Sequence, residues 1–225
     1  MLSSTSPAPP SYEELMELER GKNIQPVSRL RIVVLLDASG SMQSTRMEAI
    51  GAVNSFVKKQ QESKTNDEVF FDLFTFNADP HHVIIGKPLD AVMPIPPEEY
   101  ITSGSTSLYD TVGYVLDFYR EDHDILLVVM TDGCDTSSKK HTNETIKPLL
   151  AQRKVSPFDW EVIWLGADPT ITQIGSNLGI SASASVNFKM LREYSDEIMS
   201  SAVTEYRKEK AVGKKKAIDL KTHSV

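Results

Sequence analysis

Three short segments of this 225-residue chain carry the residues best suited to chemistry. Asp37-Ala-Ser39-Gly-Ser41-Met42 sets a carboxylate and two hydroxyls at alternate positions. Gly104-Ser-Thr106-Ser-Leu108-Tyr-Asp110 adds the Thr106 hydroxyl, and Thr131-Asp132-Gly133 adds a second carboxylate. Asp37, Ser39, Ser41, Thr106 and Asp132 offer only oxygen, with no His or Cys among them. Such a set suits a hard divalent cation. Mg²⁺ takes near-octahedral oxygens at about 2.0–2.1 Å and keeps some water, whereas an EF-hand-like Ca²⁺ cage needs more carboxylates. Ser39 and Ser41 are candidates for direct ligation, Thr106 for ligation directly or through water, and Asp37 and Asp132 for ligation or for holding the shell from outside. Neutral hydroxyls leave the cation's charge uncancelled, so an incoming carboxylate would complete the shell and neutralise it. Each residue alone also has a plain structural use, because Ser, Asp and Thr are common turn and N-cap residues after strands.

The elements needed to bring these segments together can be read from hydrophobic patterning. Arg29–Leu36 and Ile125–Met130 are nearly continuous apolar runs, the pattern of strands buried on both faces. Val69–Phe76 is a further strand, with a short one at His82–Ile85 able to pair beside it, then Asp159–Leu165 and Ala184–Phe188. Helical spacing marks Arg46–Glu62, Ser107–Tyr119, Thr142–Arg153, Ile171–Leu178 and Arg192–Lys208. Lys87–Ser105, with four prolines, reads as a long irregular loop. Strands alternating with helices predict an α/β fold, a doubly wound and mostly parallel sheet with helices on both faces. In such sheets ligands bind beyond the carboxyl ends of the strands, near the point where strand order reverses. Asp37 and Asp132 each follow a buried strand, which places them at that edge.

Taken together and in order, the Asp37–Met42, Gly104–Asp110 and Thr131–Gly133 segments resemble the complete metal-ion-dependent adhesion site of von Willebrand factor A-type (vWA) domains. The resemblance spans roughly residues 29–206 and includes the Phe71–Phe76 strand. Gly166-Ala-Asp, Leu178-Gly-Ile180 and Val186-Asn-Phe188 are similar to compact microbial members. The resemblance implies a Rossmann-like fold and a non-catalytic protein-binding module. Its site would be Asp37, Ser39, Ser41, Thr106 and Asp132, its ion Mg²⁺ or Mn²⁺, and its partner a protein supplying an Asp or Glu to the metal.

Net charge is −7, yet residues 206–225 hold seven Lys/Arg against Glu209 and Asp219, a local +5 that leaves −12 on the residues before them. An acidic body argues against broad nucleic-acid binding. The expected organisation is an N-terminal extension over 1–28 with a short helix at 12–20, the body over 29–206, and a solvated basic tail over 207–225. Ser11-Tyr-Glu-Glu14 reads as a capping box that would open the short helix. Pro9-Pro10-Ser11-Tyr12 also matches the Pro-Pro-x-Tyr pattern of WW-domain ligands, so an adaptor acting through its tails is an alternative function. With one cysteine, no leader pattern at the N-terminus and no apolar run of membrane-spanning length, a cytoplasmic protein is expected. A metal-dependent phosphohydrolase is a remote alternative. Asp37 is placed like the nucleophile of aspartyl phosphotransferases, but those need a second carboxylate where this chain has Ser39. Asp110 and Asp135 are expected to cap helices or to orient the metal shell from outside. Cys134 is expected to be a bystander, and the His81-His82 pair, pointing to opposite faces of a strand, makes no metal site.

Overall fold

The computed structural model describes residues 28–122, 124–166, 169–187, 191–214 and 217–220. The Pro9–Tyr12 motif and the expected 12–20 helix lie outside them, as does Phe188. The central strand, β1 (Ser28–Asp37), sends Leu30, Ile32, Val34 and Leu36 into one core and Val33 and Leu35 into another. Burial on both faces is why this strand reads as an apolar run rather than an alternation. Its neighbours are β2 (Asp67–Phe76) on one side and β4 (Ile125–Thr131) on the other, both parallel to it. Outside β2 lies β3 (Pro80–Pro88), antiparallel; outside β4 lie β5 (Glu161–Gly166) and β6 (Ser185–Asn187), both parallel. The six-stranded order is β3-β2-β1-β4-β5-β6, so strand order reverses between β1 and β4.

Helices cover both faces. On one, α1 (Arg46–Glu62) supplies Ala49, Ile50, Val53 and Phe56, and α5 (Leu191–Ala211) supplies Met199, Ala202, Val203 and Tyr206. On the other, α2 (Leu108–Phe118) supplies Leu108, Val112, Val115 and Leu116, and α3 (Asn143–Arg153) supplies Ile146 and Leu150. Beside them α4 (Pro169–Asn177) lies on β5 and β6 and presses Gly175 against Trp164, where an added Cβ would come within 2.8 Å of the indole. This is the doubly wound, mostly parallel α/β architecture that the patterning predicts. Among the described residues no helix is long and apolar enough to cross a membrane.

Two expectations need correction. The stretch expected as an irregular loop over 87–105 is a packed strap. Its start belongs to β3, which reaches Pro88 because pairing with β2 extends it beyond the apolar core of its sequence. Leu89, Val92, Ile95 and Tyr100 are buried, and polar side chains of α1 bind the strap's backbone. Arg46 donates to the carbonyls of Pro97 and Tyr100, Asn54 exchanges two bonds with Ile95, and Gln61 donates to the carbonyls of Leu89 and Val92.

The boundary expected between body and tail at 206/207 falls inside α5. Arg207 is buried and makes a bidentate pair with Asp67, with further bonds to Gln60 and Thr65. Lys210 bridges Asp124 and Asp159. Beyond the helix Ile218 and Leu220 return to the core, and the Leu220 N–H donates to the Ser183 carbonyl. Charge composition marked these residues as a solvated tail; buried partners recruit them into the body. Ending the chain after Ala211 should therefore cost about 3 kcal/mol or more, from about 1.5–3 kcal/mol for each lost buried Ile or Leu. Urea denaturation of the shortened chain checks this, and unchanged stability would contradict the packing.

Candidate metal centre

Asp37 ends β1 and is fully buried at the point where strand order reverses. Its Oδ1 accepts the Ser39 N–H at 2.7 Å, an Asx-type turn that swings the chain off the strand. Its Oδ2 accepts the hydroxyl of Thr131, the last residue of β4, at 2.5 Å. The Asp37 carbonyl accepts the Tyr100 hydroxyl from the strap. Burial pushes the Asp37 carboxyl above the ordinary carboxylate range, against hydrogen bonds from Thr131 and Ser39; the Asp132 charge adds to the push.

The chain then makes a single 3₁₀ turn, Gly40–Ser44, anchored by the buried Met42. Ser39 stands at the N-cap position, but its hydroxyl makes no capping bond. It meets the Ser41 hydroxyl at 3.1 Å, and Ser41 donates to Asp132 Oδ1 at 2.6 Å. The capping alternative for Ser39 therefore fails: its backbone takes the capping position while its side chain faces the site.

Thr106 reaches the same place through backbone bonds between loops. Ser103 N–H donates to the Ala38 carbonyl at 2.8 Å, and Gly40 N–H donates to the Gly104 carbonyl at 3.0 Å. Two glycines make this possible. Gly104 has φ +75°, and a Cβ on Gly40 would lie 3.4 Å from the Gly104 oxygen. The Ser41 and Thr106 hydroxyls both lie 3.6 Å from the point where Gly133 would carry a Cβ, so they converge on the loop that bears Asp132. The fold thus brings Asp37, Ser39, Ser41, Thr106 and Asp132 to one edge.

Charge and donor type suit a cation here. Two carboxylates, one of them fully buried, face each other across hydroxyls. Among the described residues the ion pairs lie elsewhere, as in Arg31–Asp72, Arg207–Asp67 and Lys210 with Asp124 and Asp159, and none includes Asp37 or Asp132. Among those residues no cluster of three or more His, Cys, Asp or Glu side chains forms. The donors gathered here are hydroxyl and carboxylate oxygens, the types that hard divalent cations take.

Three supporting residues had no assigned role in the sequence: Thr131 and Tyr100, which hold Asp37, and Thr136, whose Oγ1 accepts the Thr106 N–H at 2.9 Å. Position after a buried strand marks Thr131, but nothing local marks Tyr100, which lies 63 residues from its acceptor. Asp110 does not cap its own helix. Its carboxylate accepts the N–H groups of Lys139, Lys140 and His141. Cys134 is exposed. His81 and His82 diverge, to Asn77 and to Tyr114 respectively.

No protein-family model matches the chain, and no curated protein matches it. Solved structures do. The ArnB paralog VWA2 from Sulfolobus acidocaldarius aligns with a TM-score of 0.52 at 16% identity, over 80% of this chain and 45% of its own. Proximal thread matrix protein 1 from the mussel byssus, with a zinc-occupied MIDAS motif, aligns with a TM-score of 0.53 at 18% identity, over 80% and 46%. At these identities the likeness is one of fold: the chain has a vWA-like fold and spans about half the length of these structures.

Asp110 supplies a test by pH. Partial burial would raise its pKa, but the three backbone N–H donors outweigh burial and hold it below the ordinary value of 3.8. A carboxyl depressed in the folded state adds stability that is present above its unfolded pKa and lost as pH falls through its folded pKa. The stability difference between wild type and Asp110→Asn should be full at neutral pH and shrink below about pH 4. Urea midpoints measured from pH 7 to pH 3 check this; a constant difference would refute it.

Proposed function

We propose that this chain is a non-catalytic protein-binding module whose contact with its partner depends on a divalent cation. The observation that carries the reading is the meeting of two carboxylates and three hydroxyls from three separate loops at the carboxyl end of β1 and β4, with neither carboxylate in an ion pair among the described residues. Asp37, Ser39, Ser41, Thr106 and Asp132 would hold Mg²⁺ or Mn²⁺, directly or through water. The ion, when bound, supplies an electrophilic position for an Asp or Glu of the partner. The chain's residues do the rest. Asp37 and Asp132 provide the negative charge that retains the cation, the hydroxyls provide neutral oxygen that leaves it electrophilic, and the hydrogen-bonded loops keep the donors in place.

The zinc-occupied motif of proximal thread matrix protein 1 supports a divalent occupant for a site on this fold. An enzyme reading has less support. The carboxylate needed two residues after a phosphotransferase nucleophile is replaced by Ser39, and both Asp37 oxygens are engaged by protein donors.

Two outcomes are expected. Wild-type protein should unfold about 5–10 °C higher in Mg²⁺ or Mn²⁺ at a hundredfold excess over Kd than in chelator, with no shift in Asp37→Ala. Capture of a host protein on the immobilised chain should require the metal, fail with Asp37→Ala, and fail again when the acidic residue at the partner's contact is changed to its amide. Equal capture in Mg²⁺ and in chelator would sink the proposal.

A further inference from the structure

The loop after β4 and the first turn of α2 are joined by carboxylates facing in opposite directions. From α2, Asp110 accepts the N–H of Lys139 at 2.8 Å on Oδ2, and those of Lys140 at 2.9 Å and His141 at 2.7 Å on Oδ1. From the loop, Asp135 accepts the N–H of Tyr109 at 3.3 Å, along with the N–H and hydroxyl of Ser138. Ser138 Oγ in turn accepts the Asp110 N–H at 2.9 Å. Ser107, at the N-cap of α2, makes no side-chain capping bond, so the helix takes its first donors' partners from a loop 26–28 residues away.

The same two segments carry Thr106 and Asp132. Between them the Thr106 N–H donates to Thr136 Oγ1, and the Thr106 carbonyl accepts the N–H groups of Thr136 at 2.8 Å and Ser137 at 3.1 Å. His141 lies so close to α2 that a Cβ on Gly113 would fall 2.4 Å from its ring. The Thr106 and Asp132 loops are therefore one hydrogen-bonded body. Ordering them together is needed before their oxygens can meet around one ion.

We infer that Asp110 and Asp135 are positioning residues, a reciprocal latch that sets the cation affinity of the site by fixing the Thr106 loop against the Asp132 loop. The inference rests on the metal-dependent reading above and adds to it two residues outside the five ligand candidates. The three backbone N–H bonds to Asp110, at 2.7–2.9 Å, have the short length of charge-assisted bonds, while Asp135 holds its loop through the Ser138 hydroxyl and two longer N–H bonds at 3.3 Å. Changes to groups that hold ligands in place commonly weaken metal affinity about 10–100-fold. Asn in place of Asp keeps the volume but loses the charge and turns one acceptor into a donor facing an N–H.

The test is calorimetric titration of the full chain with MnCl₂ and MgCl₂, alongside unfolding in chelator and hydrogen exchange of residues 136–141. Asp110→Asn and Asp135→Asn should each remain folded in chelator and bind Mn²⁺ about 10–100-fold more weakly. The double variant should be little worse than either single, because both open the same latch. Asp37→Ala should bind none. A purely structural role would lower the unfolding temperature and speed exchange at 136–141 while leaving Kd unchanged; that result overturns the latch and leaves the metal reading intact. Wild type that binds neither ion overturns the metal reading itself. Should Asp110→Asn fail to fold, Ser138→Ala, which removes a bond in each direction, should weaken Mn²⁺ binding several-fold; wild-type affinity in that variant also overturns the latch.

Discussion

A carboxylate buried at the end of the central strand must be solvated by the protein or neutralised by something else, and much of this structure answers that demand for Asp37. Taking a charged carboxylate out of water costs several kcal/mol even after the surroundings relax. The fold meets part of that cost with the Ser39 N–H and the Thr131 hydroxyl, one from each side of the topological switch. The Thr131 bond ties β4 to the end of β1, and the Ser39 bond turns the chain off the strand. The Tyr100 hydroxyl on the Asp37 carbonyl pins the strap to the same point. Asp132 works in the other direction by adding a second negative charge. The outcome is a pair of acidic side chains held by neutral donors, the arrangement on which the proposed cation site rests.

The placement of compensating cations sharpens this view. Arg207 pairs with Asp67 at the start of β2, and Lys210 with Asp124 and Asp159, just before β4 and β5. All three acids lie near the amino ends of parallel strands, and each has a basic partner from α5. At the carboxyl ends the described Lys and Arg side chains form no ion pair with Asp37 or Asp132. Among the described residues these three acids are paired within the protein, while Asp37 and Asp132 at the other end are in no ion pair, as the proposed cation site requires.

Loop order links this electrostatics to binding. Short oxygen donors hold an ion well only when the loops bearing them are set beforehand, because ordering them on binding would subtract from affinity. The Ala38–Gly40 segment is bonded to Ser103–Gly104, and the Thr106–Asp110 segment to Asp135–His141. The 87–105 strap, which supplies Tyr100 and leads to Thr106, is itself held by Arg46, Asn54 and Gln61. These loop bonds use backbone groups and other side chains, while the Ser39 and Ser41 hydroxyls bond each other and Asp132 within the site.

The sequence alone determined the layered fold and the ligand candidates. Apolar runs at 29–36 and 125–130 and helical spacing between them are local signals, and the rule that sites lie beyond strand ends converts them into a location. The spacing of Asp37, Ser39 and Ser41 is equally local. What only the tertiary structure decided are the partners: Tyr100 for the Asp37 carbonyl, Asp110 for an N–H run beginning 29 residues later, and Arg207 for Asp67, 140 residues away. Arg207 and Lys210, which composition assigned to a solvated tail, became part of the body for the same reason. Periodicity reports which face of an element is apolar; it carries no record of which distant polar group will meet a buried charge, since that is settled only when the chain closes around it.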